Sequence, residues 1–363
     1  MLCPTNLRTK AESYEYEGTK VHLFKTINTP SYFLHGIFND INARFFLNKI
    51  RALGIDINDI AVAHGHTSQF ACYALALKAI NPNIKTIVQH HDCDPYTIRN
   101  GRLARLSWNT NFRALQSITL IENVDLNLCI SEYVRESLLT FPEPSAHLYY
   151  DSYREALAVV KNVRKPHITD TYVLYNGVDT NKFYPEKKNR DKQFTIGCIG
   201  NFVELKDQIT LLRAINLLIK DGIKDIKVIF VGSGPTLTEC QKYISENNLD
   251  SFVEIRSEVH HAQLRGFYNT LDLFVLPTFF EGFGCVCTEA AACGVPYMIC
   301  KHQGAAEYIA ESEKNKWTFE PHDHVTLAML IKDFKNNPRP QTLVHPFDIN
   351  VLVKKYIDYI DKD

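Results

Sequence analysis

The stretch Leu271–Glu307, LDLFVLPTFFEGFGCVCTEAAACGVPYMICKHQGAAE, decides the fold. It reads as strand, turn, helix, strand, loop. Leu271–Pro277 is a short apolar run of strand-forming residues, and Tyr297–Cys300 is a second. Between them, Phe279–Gly284 is a turn with two glycines, and Cys285–Cys293 is an Ala-rich helix stopped by Gly294-Val295-Pro296. Glycines that let backbone come close, opening onto a helix N-terminus, make a place to hold phosphate. Glu281 in the turn and Glu289 in the helix are two carboxylates able to hold the hydroxyls of a sugar.

Working outward, the same strand–helix alternation fills the chain. In the second half the strands are Phe194–Ile199, Lys227–Val231 and Phe252–Ile255, and the helices are Asp207–Lys220, Thr236–Asn247 and Gln263–Asn269. In the first half the strands are Val21–Thr26, Ile60–Ala63, Thr86–Gln89 and Asn127–Ile130, and the helices are Asp40–Leu53, Ser68–Ile80, Ser117–Asn123 and Ser131–Leu139. Short apolar strands alternating with amphipathic helices predict doubly wound parallel sheets. The βα pattern restarts after Tyr172–Tyr175 and the turn Asn176-Gly177-Val178-Asp179. The charged run Glu186–Lys192 is the best candidate linker. At 363 residues the chain is long enough for two such domains. The expected division is 1–175 and 176–346, with a last amphipathic helix over 347–363 packing back on the first domain.

Composition narrows the function. Apolar content is 45%, charged content 22% and net charge −1, so no basic field points to nucleic acid. Ten cysteines follow no disulfide or zinc spacing and fit buried free thiols in a reducing compartment. No apolar run reaches the ~18–20 residues of a membrane span, and the first twenty residues lack a signal layout. The expected location is cytoplasmic, compatible with peripheral contact at the inner face of a membrane. The basic stretch Lys161–Lys165 reads as a solvated helix face.

Two histidine pairs fall where successive strands end: His64 and His66, then His90 and His91. In open α/β sheets the ligand crevice lies beyond those carboxyl ends. No carboxylate partner gives them a metal site, so no metal is expected. Gly232-x-Gly234 is an incomplete dinucleotide fingerprint: Leu237 stands where the third glycine belongs, and no acidic residue follows at the spacing a ribose reader needs. A nicotinamide-dependent oxidoreductase is disfavoured on that ground.

Ordered motifs carry a resemblance. They are Asn176-Gly177-Val178-Asp179 with Phe183 and Pro185, Gly200 with Lys206, and Val231-Gly232-x-Gly234-Pro235. Leu276-Pro277-Thr278, Glu281-Gly282-Phe283-Gly284, Glu289-Ala290, Cys293-Gly294-Val295-Pro296 and Gly304 with Glu307 follow. Together they resemble the family 4 glycosyltransferases, retaining nucleotide-sugar-dependent enzymes of the GT-B fold. The match is dense over Tyr172–Tyr308. In the first half, Asp59–Gly65, His91-Asp92 and Ser131-Glu132 match in type and order.

The resemblance implies two Rossmann-like domains facing across a cleft, the second for the donor and the first for the acceptor. Glu289 would hold the ribose and Glu281 the donor sugar. The amides of Phe283, Gly284, Cys285 and Val286 would face the diphosphate and sugar, and Gly282, Gly200, Asn201, Gly232 and Gly234 would be further donor-binding residues. Lys206 would neutralise the leaving phosphate, Glu258 and Val259 would lie against the base, and His91 would reach the donor sugar. Glu281, His91 and Lys206 are thus the expected catalytic residues, with no cofactor beyond the donor itself. The acceptor would be a glycan or lipid-linked hydroxyl, in polysaccharide or glycoconjugate synthesis. Two departures stand out. Asn201 replaces the family's usual Arg, with Arg256 or Lys301 as candidate substitutes. Met1-Leu2-Cys3-Pro4 matches the family's second strand, so the first βα unit is expected to be missing. Both motivate an alternative: a catalytically impaired nucleotide-sugar-binding or partner subunit.

Overall fold

The computed structural model describes residues 1–99, 103, 105–186 and 193–361. Of the expected linker only Glu186 lies inside the described residues. The contacts divide the chain into two units, Met1–Ile130 with Val134–Val173, and Ser131–Tyr133 with Leu174–Asp363.

The first unit opens with β1 (Leu2–Asn6), β2 (Ser13–Tyr16) and β3 (Thr19–Thr26). Glu17 and Gly18 both take positive φ, 46° and 76°, which lets the chain turn back as a tight antiparallel hairpin. The hairpin escapes a search for buried strands because all of β2 is exposed. Then come α1 (Asn39–Ala52), β4 (Val62–His66), α2 (Ala71–Lys78), β5 (Lys85–His90), α3 (Ser107–Glu122), β6 (Leu126–Cys129), α4 (Glu132–Thr140), α5 (Asp151–Ala158) and β7 (Thr171–Val173). The strands form two sheets, β1-β3-β2 and a wholly parallel β4-β5-β6-β7. Phe24 of β3 meets Phe46 of α1 edge-on at 5.3 Å and Tyr73 of α2 at 5.0 Å, in a core with Ile50, Ala63, Leu77 and Ile84.

One expectation needs correcting here. His64 and His66 do not follow their strand; they are part of it. Parallel pairing with β5 runs from Val62 opposite Lys85 to His66 opposite Gln89, carrying β4 past the expected end at Ala63. The period of two then puts both rings on one face, stacked with centroids 4.6 Å apart. His66 Nδ1 lies 2.9 Å from His91 Nε2, and buried His90 bonds Asn127 Oδ1 through Nε2 at 2.9 Å.

The second unit contains β8 (Phe194–Ile199), α6 (Gln208–Lys220), β9 (Ile226–Val231), α7 (Leu237–Glu246), β10 (Val253–Arg256), α8 (Leu264–Asn269), β11 (Leu273–Leu276), α9 (Cys285–Ala292), β12 (Tyr297–Cys300), α10 (Lys314–Trp317), β13 (Thr318–Phe319), α11 (His324–Asn336) and α12 (Ile349–Ile360). All six strands are parallel, in the order β10-β9-β8-β11-β12-β13. The chain winds outward from β8 in one direction and from β11 in the other, the order of a dinucleotide-binding sheet. Its switch point, where a crevice opens beyond the strand ends, lies between β8 and β11. The core is one continuous cluster running from Ile196 and Leu211 to Phe319 and Ile331. The last helix groups with this unit. Val178 donates to Phe347 at 2.7 Å, Ile349 donates back to Val178 at 2.9 Å, and a Cβ on Gly177 would sit 2.7 Å from Ile349 Cα.

Burial lowers the His90 imidazole to about 4, against the opposing bond to Asn127. An unfolded histidine titrates near 6.5. The unfolded chain therefore takes up this proton first, and the stability held above pH 6.5 is lost as pH falls towards 4. His64 and His91, also lowered to about 4, act in the same sense, while buried Asp94, raised to about 6, opposes them. A His90→Gln variant isolates the first term. Between pH 6.5 and 4.5 its urea-derived stability should slope less steeply than that of the parent, by ~1.4 kcal/mol per pH unit at most. Parallel slopes would remove His90 from the account.

Candidate functional site

The site is built where β8, β9 and β11 end. After β8 the chain enters Gly200-Asn201-Phe202, and after β9 it enters Gly232-Ser233-Gly234. Gly232 and Gly234 take φ of 143° and 152°. A Cβ on Gly232 would lie 2.2 Å from Gly200 O, and one on Gly234 2.3 Å from Phe202 O. Only glycine lets the two turns touch. Backbone bonds join them: Gly200 N to Val231 O at 3.0 Å and Phe202 N to Ser233 O at 2.8 Å. The G-x-G pattern thus has a packing reason of its own.

The loop after β11 is pinned to the same region. Thr278 Oγ1 donates to Leu205 O at 2.8 Å, and Phe279 N donates to it at 3.1 Å. That clamp brings Lys206 beside Glu281, and the two form an ion pair whose side chains are 22% and 19% exposed. Glu281 is fixed from behind by Gln303, whose Oε1 accepts its N–H at 2.7 Å. Next to Gln303, Gly304 has no room for a side chain: a Cβ there would meet Gly282 O at 2.2 Å.

Helix α9 is preceded by Gly284, which takes the left-handed φ of 89°. Cys285 stands in its first turn, and Asn176 Nδ2 donates to its sulfur at 3.5 Å. Burial first, then the charges of Glu289 and Glu281, push this thiol up to about 11, leaving it a neutral lining group rather than a nucleophile. Glu289, one turn on, is 12% exposed. Its Oε2 accepts from Tyr268 at 2.8 Å, and its Oε1 lies 3.7 Å from His261 Nε2. Tyr268 and His261 both pack on Phe183. Glu258 is exposed and Val259 half-buried against the core, in the segment that delivers His261.

Lys206, Glu281, the Gly200 and Gly232 turns and the α9 N-terminus therefore come together, with Glu289 one turn further along the helix. Arg256 and Lys301, the candidate replacements for a second phosphate cation, are tied elsewhere. Arg256 pairs with Glu254 at 2.6 Å and lies over the Phe267 ring, and Lys301 pairs with Glu320 at 2.9 Å. His91 belongs to the first unit, where burial, then the nearby charge of His66, lowers it to about 4, so it is a neutral hydrogen-bonding ring at pH 7.

Sequence reasoning missed Tyr268, His261 and Gln303 as positioning residues. None carries a local pattern; each is known only by the glutamate it meets in space. Glu307 appeared as a motif residue without a role. Its carboxylate accepts from the backbone N–H groups of Glu132 and Tyr133 at 2.9 Å each and from Tyr175 Oη at 3.0 Å. Ser131 donates to Gly282 O at 2.6 Å. The segment Ser131–Tyr133, grouped with the second unit, is thereby fastened to the Glu281 turn and to Glu307. Burial outweighs those three donors and pushes Glu307 up to about 7.

Comparison with known proteins gives this arrangement a relation. The family described as glycosyl transferases group 1 matches residues 179–345, and the one described as glycosyltransferase family 4 matches residues 2–149. The chain is 22% identical over 283 residues to the phosphatidylinositol N-acetylglucosaminyltransferase gpi3 subunit of Schizosaccharomyces pombe, covering 76% of this chain and 54% of that protein. It is 27% identical over 179 residues to the GDP-mannose-dependent alpha-(1-6)-phosphatidylinositol monomannoside mannosyltransferase of Mycolicibacterium smegmatis, covering 45% and 46%. The chain thus spans about half the length of these curated relatives. Among solved structures, sucrose-phosphate synthase from Thermosynechococcus elongatus superposes with a TM-score of 0.71 at 17% identity, covering 99% of this chain and 87% of that one. Anabaena Alr3699/HepE in complex with UDP and glucose superposes at 0.65 and 16%, covering 94% and 86%. These two likenesses speak for the fold. With its second half matched by the glycosyl transferases group 1 description, its first half by the glycosyltransferase family 4 description, and two Rossmann-like units of the GT-B class, the chain belongs to the family 4 glycosyltransferases.

Proposed function

We propose that the chain transfers a sugar, with retention, from a nucleoside diphosphate sugar to an acceptor hydroxyl on a glycan or lipid-linked molecule. The observation that carries the proposal is the pair of glutamates at one end of α9. Glu281 is held against Lys206 in the turn before the helix, and Glu289 is held by Tyr268 one turn inside it. Between them the N-terminus of α9 follows a left-handed Gly284. Cation, helix N-terminus and two aimed carboxylates are what a diphosphate flanked by two polyol rings needs.

In this account the amides of Gly284, Cys285 and Val286 take the diphosphate. Lys206 shifts from Glu281 towards the phosphate charge that grows as the glycosidic bond breaks, and Glu281 is freed to accept from donor-sugar hydroxyls. Glu289 accepts from the ribose. Stabilising charge where it develops is worth most in a partly dry site. The helix N-terminus and Lys206 supply that charge from the protein, so the proposed reaction uses neither a metal nor a further cofactor. His91 acts as a neutral donor or acceptor to the donor sugar, and no side chain is given the part of general base. Relatives named for phosphatidylinositol and HepE solved with UDP make UDP, then GDP, the first nucleotides to try. Among the described residues no helix is long and apolar enough to cross a membrane. The proposed setting is cytoplasmic, at the inner face of a membrane presenting a lipid-linked acceptor.

A second proposal, a nucleotide-sugar-binding subunit without turnover, draws on the engagement of Arg256 and Lys301 in other ion pairs.

Calorimetry should find UDP, GDP or ADP binding to the parent chain. Glu289→Ala should weaken that binding at least ~100-fold through loss of charge-assisted bonds, while Glu289→Gln, which still accepts from Tyr268, controls for folding. If all three nucleotides fail with the parent chain, the donor site is wrong. In turnover assays Lys206→Ala should lower kcat/KM by ~10²–10³, and EDTA should leave the parent rate unchanged. Binding without turnover across a donor and acceptor panel would favour the second proposal.

A further inference from the structure

Lys206 is aimed by a break in a helix. The short turn Glu204–Lys206 and helix α6 from Gln208 are both helical, and the one residue between them is not: Asp207 takes φ 45° and ψ 41°. A right-handed residue there would run the turn straight into α6 and carry Lys206 round the helix axis. The left-handed one ends the turn. The Lys206 stem then lies along Gly200, where an added Cβ would meet its Cδ at 3.6 Å, and the ammonium reaches Glu281. Aspartate enters the left-handed region more readily than most residues but still at a cost. Such a conformation persists where its surroundings hold it.

The hold comes from a loop that the donor-site account leaves unused. Between β13 and α11, His322 Nδ1 bonds Asp207 Oδ2 at 2.8 Å, and Thr210 Oγ1 donates to the same oxygen at 2.7 Å. A carboxylate accepts, so the proton of the first bond stands on Nδ1. The Asp207 side chain is 5% exposed and needs such donors; that of His322 is 58% exposed. Thr210 belongs to α6 and moves with Asp207, so it cannot anchor the turn to the rest of the fold. His322 can, because its own loop is tied down. Asp323 N donates to Glu320 O at 3.1 Å and His324 N to His322 O at 3.0 Å, and Asp323 caps α11 by accepting from Thr326 N at 2.9 Å. His322 is itself left-handed, with φ 64°. Its ring packs on that of Phe279, centroids 4.7 Å apart, and Phe279 N donates to Leu205 O. The loops after β8, β11 and β13 therefore meet beside the Lys206–Glu281 pair.

From this geometry we infer that His322 is a positioning residue for the transfer step. Through Asp207 it fixes the left-handed turn that aims Lys206 at the place where phosphate charge develops. Misplacing a charge by about 1 Å is enough to slow a reaction that depends on it. That the aim serves turnover rests on the sugar-transfer proposal; the hold on the turn does not.

The test compares the full chain with His322→Ala and His322→Asn. Asparagine tolerates left-handed backbone and offers an N–H close to where Nδ1 stands. Hydrogen exchange reads the turn without any substrate. The amides of Lys206 and Asp207 donate to Val203 O and Glu204 O at 3.0 and 3.1 Å. They should exchange ~10-fold faster in His322→Ala and near the parent rate in His322→Asn. Turnover reads the aim. His322→Ala should lower kcat ~10-fold while nucleoside diphosphate affinity stays within ~2-fold of the parent, and His322→Asn should recover most of the loss. In a Lys206→Ala background, His322→Ala should cost nothing further. Unchanged exchange, a parental kcat despite a loosened turn, or the same ~10-fold loss with Lys206 already removed would overturn the inference. Loosened exchange with rescue, in a chain that turns over no donor, would keep the hold of His322 on the turn and remove the transfer proposal.

Discussion

One topological constraint governs the second unit. β8 and β11 lie side by side and parallel, and the chain leaves them in opposite directions across the sheet. Their following loops cannot cover the same face, so a gap opens at their shared end. Everything chemical is placed by that gap. The Gly200 turn comes from one side and the Thr278–Gly284 turn from the other, and the two bonds to Leu205 O fix their spacing. The Lys206–Glu281 pair results from that spacing, and each partner keeps the other from being an uncompensated, partly buried charge.

Glu289 obeys a different rule. It sits on a helix face near the core, and a carboxylate there needs a donor. Tyr268, buried on α8, provides one. Tyr268 bonds one oxygen of the carboxylate, and His261 lies near the other. Packing, hydrogen bonding and ligand recognition are therefore not separable at this residue. A change made to test binding also tests stability, by ~1–3 kcal/mol if the tyrosine hydroxyl is orphaned.

Much of this was legible from residues alone. Strand and helix alternation is a matter of side-chain period, and it placed β8, β9, β11, β12 and the helices between them within a few residues. The glycines of the Phe279–Gly284 turn were expected to let backbone come close; in the structure Gly284 supplies the left-handed residue before α9, and the close backbone approaches fall at Gly232, Gly234 and Gly304. What the sequence did not reveal were partnerships across space. Nothing near Glu281 points to Gln303, and nothing near Glu289 points to Tyr268. Strand ends were blurred for the same reason: β4 runs on through His66 because β5 offers it partners, not because histidine and glycine favour a strand. The exposed β2 hairpin left no apolar signal to find.

The central claim is that α9 carries the donor, with diphosphate at its N-terminus and ribose at Glu289. A crystal structure of the chain bound to whichever of UDP, GDP or ADP binds it tests this most directly. The account predicts diphosphate oxygens on the amides of Gly284, Cys285 and Val286, Lys206 turned from Glu281 towards phosphate, and both ribose hydroxyls on Glu289. A nucleotide seated elsewhere, or a ribose away from Glu289 with the Lys206–Glu281 pair intact, would contradict it.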